Sequence, residues 1–255
     1  MKFIINSESK QLSIESEGVR KDIPLYSKEA FEAISDLWVK VGWNEKYPYT
    51  FSWMGRPIIQ LPEDMVRTQE VIYRLRPDVI VETGVAHGGS LIFYASLCTA
   101  IGKGRVIGID VEIRPHNRRA IESHGMASLI TLIEGDSVSD AVVQQASTLI
   151  EPGEKVLVIL DSCHTRDHVT KELEAYHSFV GLDSYVVATD GVMQHVCDVP
   201  RGVAGWQTDN PVTAVREFLS RHKEFVLEQP GWPFNESSLS KNVTHWPQAW
   251  LRRVT

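Results

Sequence analysis

The chain has 255 residues, 43% of them hydrophobic, and a formal net charge of −7 at pH 7. This length and apolar content suffice for a large globular fold, while the negative charge excludes a sequence-independent nucleic-acid binder, which needs a basic field. No window approaches the roughly 18 apolar residues of a membrane span, and residues 1–10 lack the apolar core of a signal peptide. We therefore expect a cytoplasmic protein with a small or neutral substrate and no membrane or nucleic-acid partner.

The first sixty residues are expected to form an N-terminal extension. Two short apolar runs, KFIIN and LSIES, flank the turn-forming SESK, which is typical of a β-hairpin. From Ser27, apolar residues recur at helical spacing behind a residue that can cap a helix, and EDMVRTQEVIYRLRP predicts a second helix that ends at Pro77. We assign residues 1–60 to a hairpin and helical extension, and residues 61–255 to the main domain.

The main domain alternates between strand-like and helical segments. Five runs rich in Val and Ile, namely DVIVETG, RVIGID, ITLIEGD, VLVILD and SYVVATD, are separated by helical patterns. Near-continuous apolar strands in such an alternation predict an α/β fold whose parallel sheet is covered on both faces. EFVLEQ and AWLRRV are expected to close the sheet as antiparallel strands, after a helix that begins near Pro211.

Acidic residues stand at the carboxyl ends of all five strands: Glu82, Asp110, Asp136, Asp161 and Asp190. In open sheets of this kind, ligands bind beyond the carboxyl ends of the strands. Five acids on one rim are more than strand termination requires. The pattern therefore predicts a ligand site along this rim.

The turn after the first strand, VETGVAHGGS, predicts a cofactor site. Gly84 and Gly88 let the backbone approach a ligand, and the helix that begins near Ser90 supplies donors. The turn is not the GxGxxG of dinucleotide-binding proteins, and Glu82 before the first glycine suits an ammonium group better than a pyrophosphate. His87 either contacts the cofactor or substrate or is a simple loop residue.

Two further strand ends extend this site. Asp110 is placed to accept hydrogen bonds from a ribose diol. Asp136 is placed to accept from an adenine amino group, and the Ser137 backbone to donate to a ring nitrogen. In this order on successive strands, the acids favour S-adenosylmethionine over a nicotinamide cofactor, which stays the alternative.

Long motifs resemble one known family. WMGRPIIQLPEDM, RPDVIVETGVAHGGS, IDVEIRPHNR, IEGDS, LDSCHTRDHVTKELEAY and WPFNESSLSKNVTHWPQAWLRR, spread over residues 45–255, are similar to the cephalosporin hydroxylase/rhamnosyl O-methyltransferase family. The resemblance implies a Rossmann-like class I methyltransferase fold, with a mostly parallel seven-stranded sheet and helices on both faces. It also implies S-adenosylmethionine-dependent methylation of a sugar hydroxyl, assistance by Mg²⁺, and a homo-oligomer.

The resemblance assigns a metal site to two strand ends. Catechol-type O-methyltransferases, more distant relatives, place carboxylates after the fourth and fifth strands around Mg²⁺. Asp161 and Asp190 match two of those ligand positions. Besides this metal role, Asp161 is counted among the catalytic and cofactor-binding residues. Thr189 departs from the acidic pair expected after the fifth strand, so its hydroxyl or a water would complete the metal site.

Methyl transfer to a hydroxyl needs a base that takes the hydroxyl proton. His164, three residues after Asp161, is interpreted as that base, because related metal-dependent sugar O-methyltransferases use a histidine in this DxxH position. The alternative is that His164 only caps the following helix. His168 and Cys163 are interpreted as a helix-start residue and a packing residue.

Acceptor selection is expected in residues 45–62 and in the long stretch 193–211, because loops of that length usually bind ligands or act as lids. The tryptophans are expected mostly to pack, with some available to stack on a sugar: Trp53, Trp206, Trp232, Trp246 and Trp250.

Two other functions stay open at this stage. A non-haem iron hydroxylase would need a triad assembled from His164, His168 and Asp161. A non-catalytic binding subunit with a methyltransferase-like fold is suggested by Thr189.

Overall fold

The computed structural model of the protein describes residues 1–255 and contains twelve β-strands and seven α-helices. The strands are β1 (Lys2–Asn6), β2 (Gln11–Ser16), β3 (Val19–Pro24), β4 (Phe51–Trp53), β5 (Arg56–Ile58), β6 (Val79–Thr83), β7 (Arg105–Asp110), β8 (Ile130–Glu134), β9 (Val156–Leu160), β10 (Tyr185–Ala188), β11 (Phe225–Leu227) and β12 (Trp250–Arg253). The helices are α1 (Lys28–Asn44), α2 (Pro62–Leu75), α3 (Gly89–Ile101), α4 (Pro115–Glu122), α5 (Asp140–Thr148), α6 (Arg166–Tyr176) and α7 (Pro211–Arg221).

The central sheet has seven strands in the order β11-β12-β10-β9-β6-β7-β8. Strands β6 to β10 run parallel, and β12 pairs antiparallel with both β10 and β11. The predicted mostly parallel seven-stranded sheet is confirmed. The chain moves from β6 outward to β8 and then returns to β9 on the other side of β6, so the strand order reverses between β6 and β9, where ligands bind in folds of this kind.

Two apolar layers cover the faces of this sheet. Alternate residues of β6 point to opposite faces: Ile80 belongs to the layer that contains Tyr94 and Trp250, while Val81 belongs to the layer that contains Tyr176. Every residue of β6 and β9 is buried, which explains the apolar run VIV at the start of β6 and the apolar sequence VLVIL of β9. None of the helices combines the length and the apolarity needed to cross a membrane.

The N-terminal region differs from the prediction in one respect. Strands β1 and β2 form the predicted hairpin, but β3 pairs with β2 and makes a three-stranded antiparallel sheet. Sequence reasoning missed β3 because Ile23 is its only buried residue, so the strand has almost no apolar periodicity. Helix α1 begins as predicted, with the Ser27 hydroxyl accepting a hydrogen bond from the amide of Ala30 at 3.2 Å.

A second hairpin, β4–β5, lies within the segment that was predicted as a loop. It packs closely against the start of α3: a Cβ added to Gly89 would lie 2.1 Å from the carbonyl oxygen of Pro57. Only glycine permits this approach. The contact brings residues 57–60 over the carboxyl edge of the sheet.

Helix α2 anchors the C-terminal tail through a buried carboxyl group. Asp64, in the first turn of α2, accepts hydrogen bonds from the Thr244 hydroxyl and from the amide of His245 at 2.8 Å. Burial raises the pKa of Asp64 to about 7. The docked tail then passes Trp246, which is 3% exposed, into β12.

We expect the substitution D64N to flatten the pH dependence of folding stability. A carboxyl whose pKa rises on folding stabilises the protein fully below its unfolded pKa of about 4, and that contribution is lost as the pH rises through the folded value near 7. Relative to D64N, the wild type should lose roughly 2–4 kcal/mol of unfolding free energy between pH 4 and pH 8. Urea denaturation at both pH values without divalent cations measures this, and D140N, an exposed first-turn acid of α5, is the control. Parallel curves for wild type and D64N would contradict the assignment.

Candidate active site

A cleft opens at the carboxyl ends of β6, β9 and β10, with a water-accessible volume of about 170 Å³. Residues 57–60, which follow the close contact at Gly89, form one wall. The predicted site residues that line it are Gly84, His87, Ser90, Asp161, His164 and Asp190. Asp110, Asp136 and Ser137 lie farther along the same rim, at the ends of the neighbouring strands β7 and β8.

Asp161, His164 and Asp190 form one cluster, with a ligand atom from each side chain within 4.8 Å of the others. The His164 Nε2 lies 3.3 Å from the Asp190 Oδ2. Burial and the neighbouring Asp190 carboxylate raise the pKa of Asp161 well above its usual range. A divalent cation would relieve both effects, and oxygen ligands are those that Mg²⁺ prefers, so the donor set fits such an ion.

Thr189 fixes the Asp161 carboxylate. Its side chain is completely buried, and its hydroxyl lies within hydrogen-bond distance of Asp161 Oδ1 and 3.0 Å from the carbonyl oxygen of Leu160. Because a hydroxyl carries one proton, the two acceptors share it. The side chain in the expected acidic position therefore orients one carboxylate rather than adding another.

His164 does not cap the following helix. Thr165 is the N-cap of α6, where its hydroxyl accepts a hydrogen bond from the amide of His168 at 3.4 Å. The alternative interpretation of His164 as a capping residue is therefore wrong. Its imidazole, 24% exposed, instead faces Asp190 at the cleft.

The first turn is packed against the turn that carries Asp161. Gly84 has a left-handed φ of 93°, and a Cβ on it would lie 2.1 Å from the carbonyl oxygen of Asp161. Asp110 Oδ2 accepts hydrogen bonds from the amides of Val85 at 2.8 Å and Ala86 at 3.1 Å. Glycine is thus required at position 84 because the two turns touch there, whether or not a ligand also approaches this residue.

Glu82 lies beneath the first turn and is fully buried. Its carboxylate accepts hydrogen bonds from the Ser90 hydroxyl at 2.5 Å and the Tyr94 hydroxyl at 3.0 Å. Burial raises its pKa to about 8. Since this carboxylate does not line the cleft, its predicted contact with an ammonium group needs a mediator such as the Ser90 hydroxyl.

Arg56 supports the first turn and was not predicted. From β5 its guanidinium donates to the carbonyl oxygen of His87, at 3.0 Å from Nε and 2.5 Å from Nη2, and to the Asn117 side chain at 3.0 Å. Asn117 in turn donates to the carbonyl oxygen of Ala86 at 2.9 Å. These partners are 31 and 61 residues away in sequence, so no local pattern signals them.

A second buried polar cluster joins the turns after β8 and β9. The hydroxyls of Ser137 and Ser162 donate to Glu172 Oε1 at 2.6 and 2.7 Å, and His168 Nε2 lies 3.4 Å from the same oxygen. The hydrogen bond with Glu172 raises the pKa of His168. The interpretation of His168 as a support for the loop is consistent with this geometry. The sequence offers one signal for this buried polar cluster, which is a glutamate, Glu172, on the buried face of α6.

The remaining glycine, acid and loop predictions have mixed outcomes. Gly88, with φ 79°, avoids a clash with the Ile121 side chain. Asp136 is exposed and accepts from the amide of Val138 at 3.2 Å.

No residue of 193–211 lines the cleft; that stretch packs on α1 through Val196, next to Val39. Tyr49 and residues 57–60 supply the cleft residues from 45–62.

The five tryptophans considered for sugar stacking, of the seven in the chain, mainly pack, as expected. Trp246 and Trp250 are buried, Trp53 meets the Phe93 ring edge-on at 5.0 Å, and Trp206 meets Trp43 at 5.5 Å. Trp232 lies under the Arg67 guanidinium at 4.6 Å. None of these rings lines the cleft.

The sequence and the fold are similar to those of known proteins. The chain is 28% identical over 199 residues to the rhamnosyl O-methyltransferase of Mycobacterium leprae (strain TN), covering 75% of this chain and 80% of the relative. Its fold is similar to that of CmcI in a structure with Mg and SAM, at 19% identity and a TM-score of 0.54 over 81% of this chain and 78% of CmcI. It is also similar to the methyltransferase MycE in complex with Mg and SAH, at 17% identity and a TM-score of 0.50 over 94% of this chain and 66% of MycE. The family model "Rhamnosyl O-methyltransferase/CmcI" matches residues 45–254, and the chain belongs to that family.

Proposed function

We propose that the protein is an S-adenosylmethionine-dependent O-methyltransferase that methylates a hydroxyl of a sugar or of a sugar-bearing small molecule. The observation that carries the proposal is the cluster of Asp161, His164 and Asp190 beside the glycine turn, at the point where the strand order reverses. Family membership supports the reaction class. A cytoplasmic location and a homo-oligomeric state stay predictions from the sequence and the resemblance.

The cofactor is proposed to lie along the rim from β6 to β8. The glycine turn would receive its amino-acid end, Asp110 its ribose hydroxyls and Asp136 its adenine amino group. Three contacts support a preformed binding surface: Asp110 holds the amides of the first turn, Arg56 holds the carbonyl oxygen of His87 in that turn, and Glu172 joins the turns after β8 and β9. A rigid site of this kind lowers the entropy lost on binding.

Asp161 and Asp190 are proposed to hold Mg²⁺, with Asp161 oriented by Thr189. When bound, the ion would lower the pKa of the acceptor hydroxyl and stabilise the developing alkoxide. The burial of Thr189 supports an orienting role. Direct ligation by its hydroxyl is the less favoured arrangement, because the side chain is completely buried and does not line the cleft.

His164 is proposed to take the proton from the acceptor hydroxyl as it attacks the methyl group. Its imidazole lines the cleft and lies 3.3 Å from Asp190. A carboxylate at that distance stabilises the imidazolium that forms when the ring accepts the proton. The methyl carbon gains a bond to oxygen and loses its bond to sulfur, and the proton ends on His164.

The iron hydroxylase is less well supported by the same geometry. Its triad needs His168 beside His164 and Asp161, yet His168 Nε2 is 3.1 Å from the Ser162 hydroxyl and 3.4 Å from Glu172, and it is not part of the cleft cluster. The group that joins Asp161 and His164 is a second carboxylate, Asp190, which favours a hard cation.

Calorimetric titration should show binding of S-adenosylhomocysteine and no binding of NAD. The substitution D136A should weaken the binding of S-adenosylhomocysteine by roughly 10- to 100-fold, because it removes an acceptor for the adenine amino group. D140A, at an exposed acid on α5, is the matched control. Saturable binding of NAD with none of S-adenosylhomocysteine would eliminate the proposal.

The substitution H164Q should lower kcat about 10²- to 10⁴-fold, while the affinities for S-adenosylhomocysteine and Mg²⁺ stay near those of the wild type. Transfer of a labelled methyl group to methyl α-L-rhamnoside and related glycosides measures kcat, since the mycobacterial relative is named for a rhamnosyl acceptor. Loss of Mg²⁺ binding in H164Q would instead identify His164 as a metal ligand.

Substitutions at Thr189 test the metal site. T189E adds a buried carboxylate next to Asp161, so without Mg²⁺ the variant should lose roughly 3–5 kcal/mol of unfolding free energy, and excess Mg²⁺ should restore much of it. T189V keeps the shape but removes the hydroxyl, and should weaken Mg²⁺ binding without adding charge. Thermal denaturation of each variant, once with EDTA and once with Mg²⁺, measures the effect of the ion on the Tm. If Mg²⁺ raises the Tm of T189E no more than that of T189V, the result would argue against a cation between Asp161 and Asp190.

A further inference from the structure

A second group of ligand-type side chains lies away from the cleft, where α6, α7 and β11 meet. His177 follows α6, His222 follows α7, and Glu224 directly precedes β11, with one ligand atom from each within 4.8 Å of the others. Helix α6 begins beside the cleft at the end of β9, and this cluster lies at its other end. The cluster is therefore at the edge of the sheet opposite the cleft.

The tautomer of His177 is fixed by its neighbours. Its Nδ1 lies 3.1 Å from the carbonyl oxygen of Leu173 and 3.0 Å from that of Glu174. Carbonyl oxygens only accept hydrogen bonds, so Nδ1 carries the proton and Nε2 carries the lone pair. Metal-binding histidines are typically oriented in this way, with the other ring nitrogen donating to a carbonyl or carboxylate.

His222 lies between two carboxylates. Glu174 Oε2 is 3.0 Å from its Nε2, and Glu224 Oε1 is 2.9 Å from its Nδ1. A neutral imidazole has one N–H, so one nitrogen would present its lone pair to a carboxylate unless a second proton or a cation intervenes. A second proton on His222 would give each carboxylate a donor but would leave the Nε2 of His177 without a partner. A cation also uses the Nε2 of His177, which has no hydrogen-bond partner in the structure.

The surroundings hold both rings in place. The Phe218 ring stacks on His222 at 4.1 Å and an angle of 14°, and the two imidazole rings lie 4.6 Å apart. The side chain of His222 is only 18% exposed, while that of Glu224 is 31% exposed and leaves a path for an ion. Arg221 pairs with Glu174 at 2.7 Å, which keeps this carboxylate beside the Nε2 of His222.

We propose that His177, His222 and Glu224 bind Zn²⁺, through His177 Nε2, His222 Nδ1 and a Glu224 oxygen, with water in the fourth position. Two imidazoles and a carboxylate form a ligand set that zinc favours. Glu174 then orients His222 without touching the ion. The bound ion would tie the ends of α6 and α7 to the start of β11, and this role is independent of methyl transfer.

The test uses the full chain without a histidine tag, in a D161N/D190N background that removes the cleft as a competing site. After EDTA treatment and dialysis, calorimetric titration with ZnCl₂ should show one equivalent bound, and Zn²⁺ should raise the Tm. E224Q and H177Q should abolish both effects. E174Q should weaken Zn²⁺ binding roughly 10- to 100-fold, because it alters an outer-shell partner.

Two controls keep the result interpretable. H116Q changes an exposed histidine on α4 and should bind Zn²⁺ like the background protein. Circular dichroism verifies folding, and E224Q is informative even where H177Q fails to fold, because Glu224 lies at the surface. Absence of Zn²⁺ binding in the background protein, or unchanged binding in E224Q, would overturn the proposal.

Discussion

The site depends on one close contact between two turns. The turn after β6 and the turn after β9 approach so closely that a single methyl group on Gly84 would meet the carbonyl oxygen of Asp161 at 2.1 Å. This contact sets the distance between the glycine turn and the cluster of Asp161, His164 and Asp190. The contact exists because β6 and β9 are neighbouring parallel strands at the point where the strand order reverses, so the turns that follow them leave the sheet at the same edge.

The support around this contact is built from distant residues. Asp110 accepts from two amides of the first turn, and the Arg56 guanidinium donates from Nε and Nη2 to one carbonyl oxygen of that turn, that of His87. Glu172 Oε1 accepts from the hydroxyls of Ser137 and Ser162 and so joins the turns after β8 and β9. Each of these hydrogen bonds restricts the positions of the turns, so the rim is shaped before a ligand arrives.

Much of this fold is predictable from local sequence because the strands of its sheet are buried on both faces. Runs such as VIVET and VLVIL, rich in Val and Ile, are typical of parallel strands buried on both faces, and the acids at their carboxyl ends then lie at the same edge of the sheet. The same reasoning fails for β3, whose only buried residue is Ile23, and for Arg56, whose partners are 31 and 61 residues away. For Glu82 it gives the position at a strand end, whereas the burial of this carboxylate under Ser90 and Tyr94 depends on how α3 packs.

Charge gives a physical reason for threonine at position 189 in the proposed reaction. Asp161 and Asp190 together carry the charge that neutralises a divalent cation. A third carboxylate would strengthen cation binding but would leave the site negative, opposing the negative charge that develops on the attacking oxygen. Thr189 instead donates its hydroxyl to Asp161, which orients that carboxylate without adding charge. In the proposed site, threonine would lower the affinity for the ion relative to a third carboxylate, and the bound ion would keep its ability to stabilise the alkoxide.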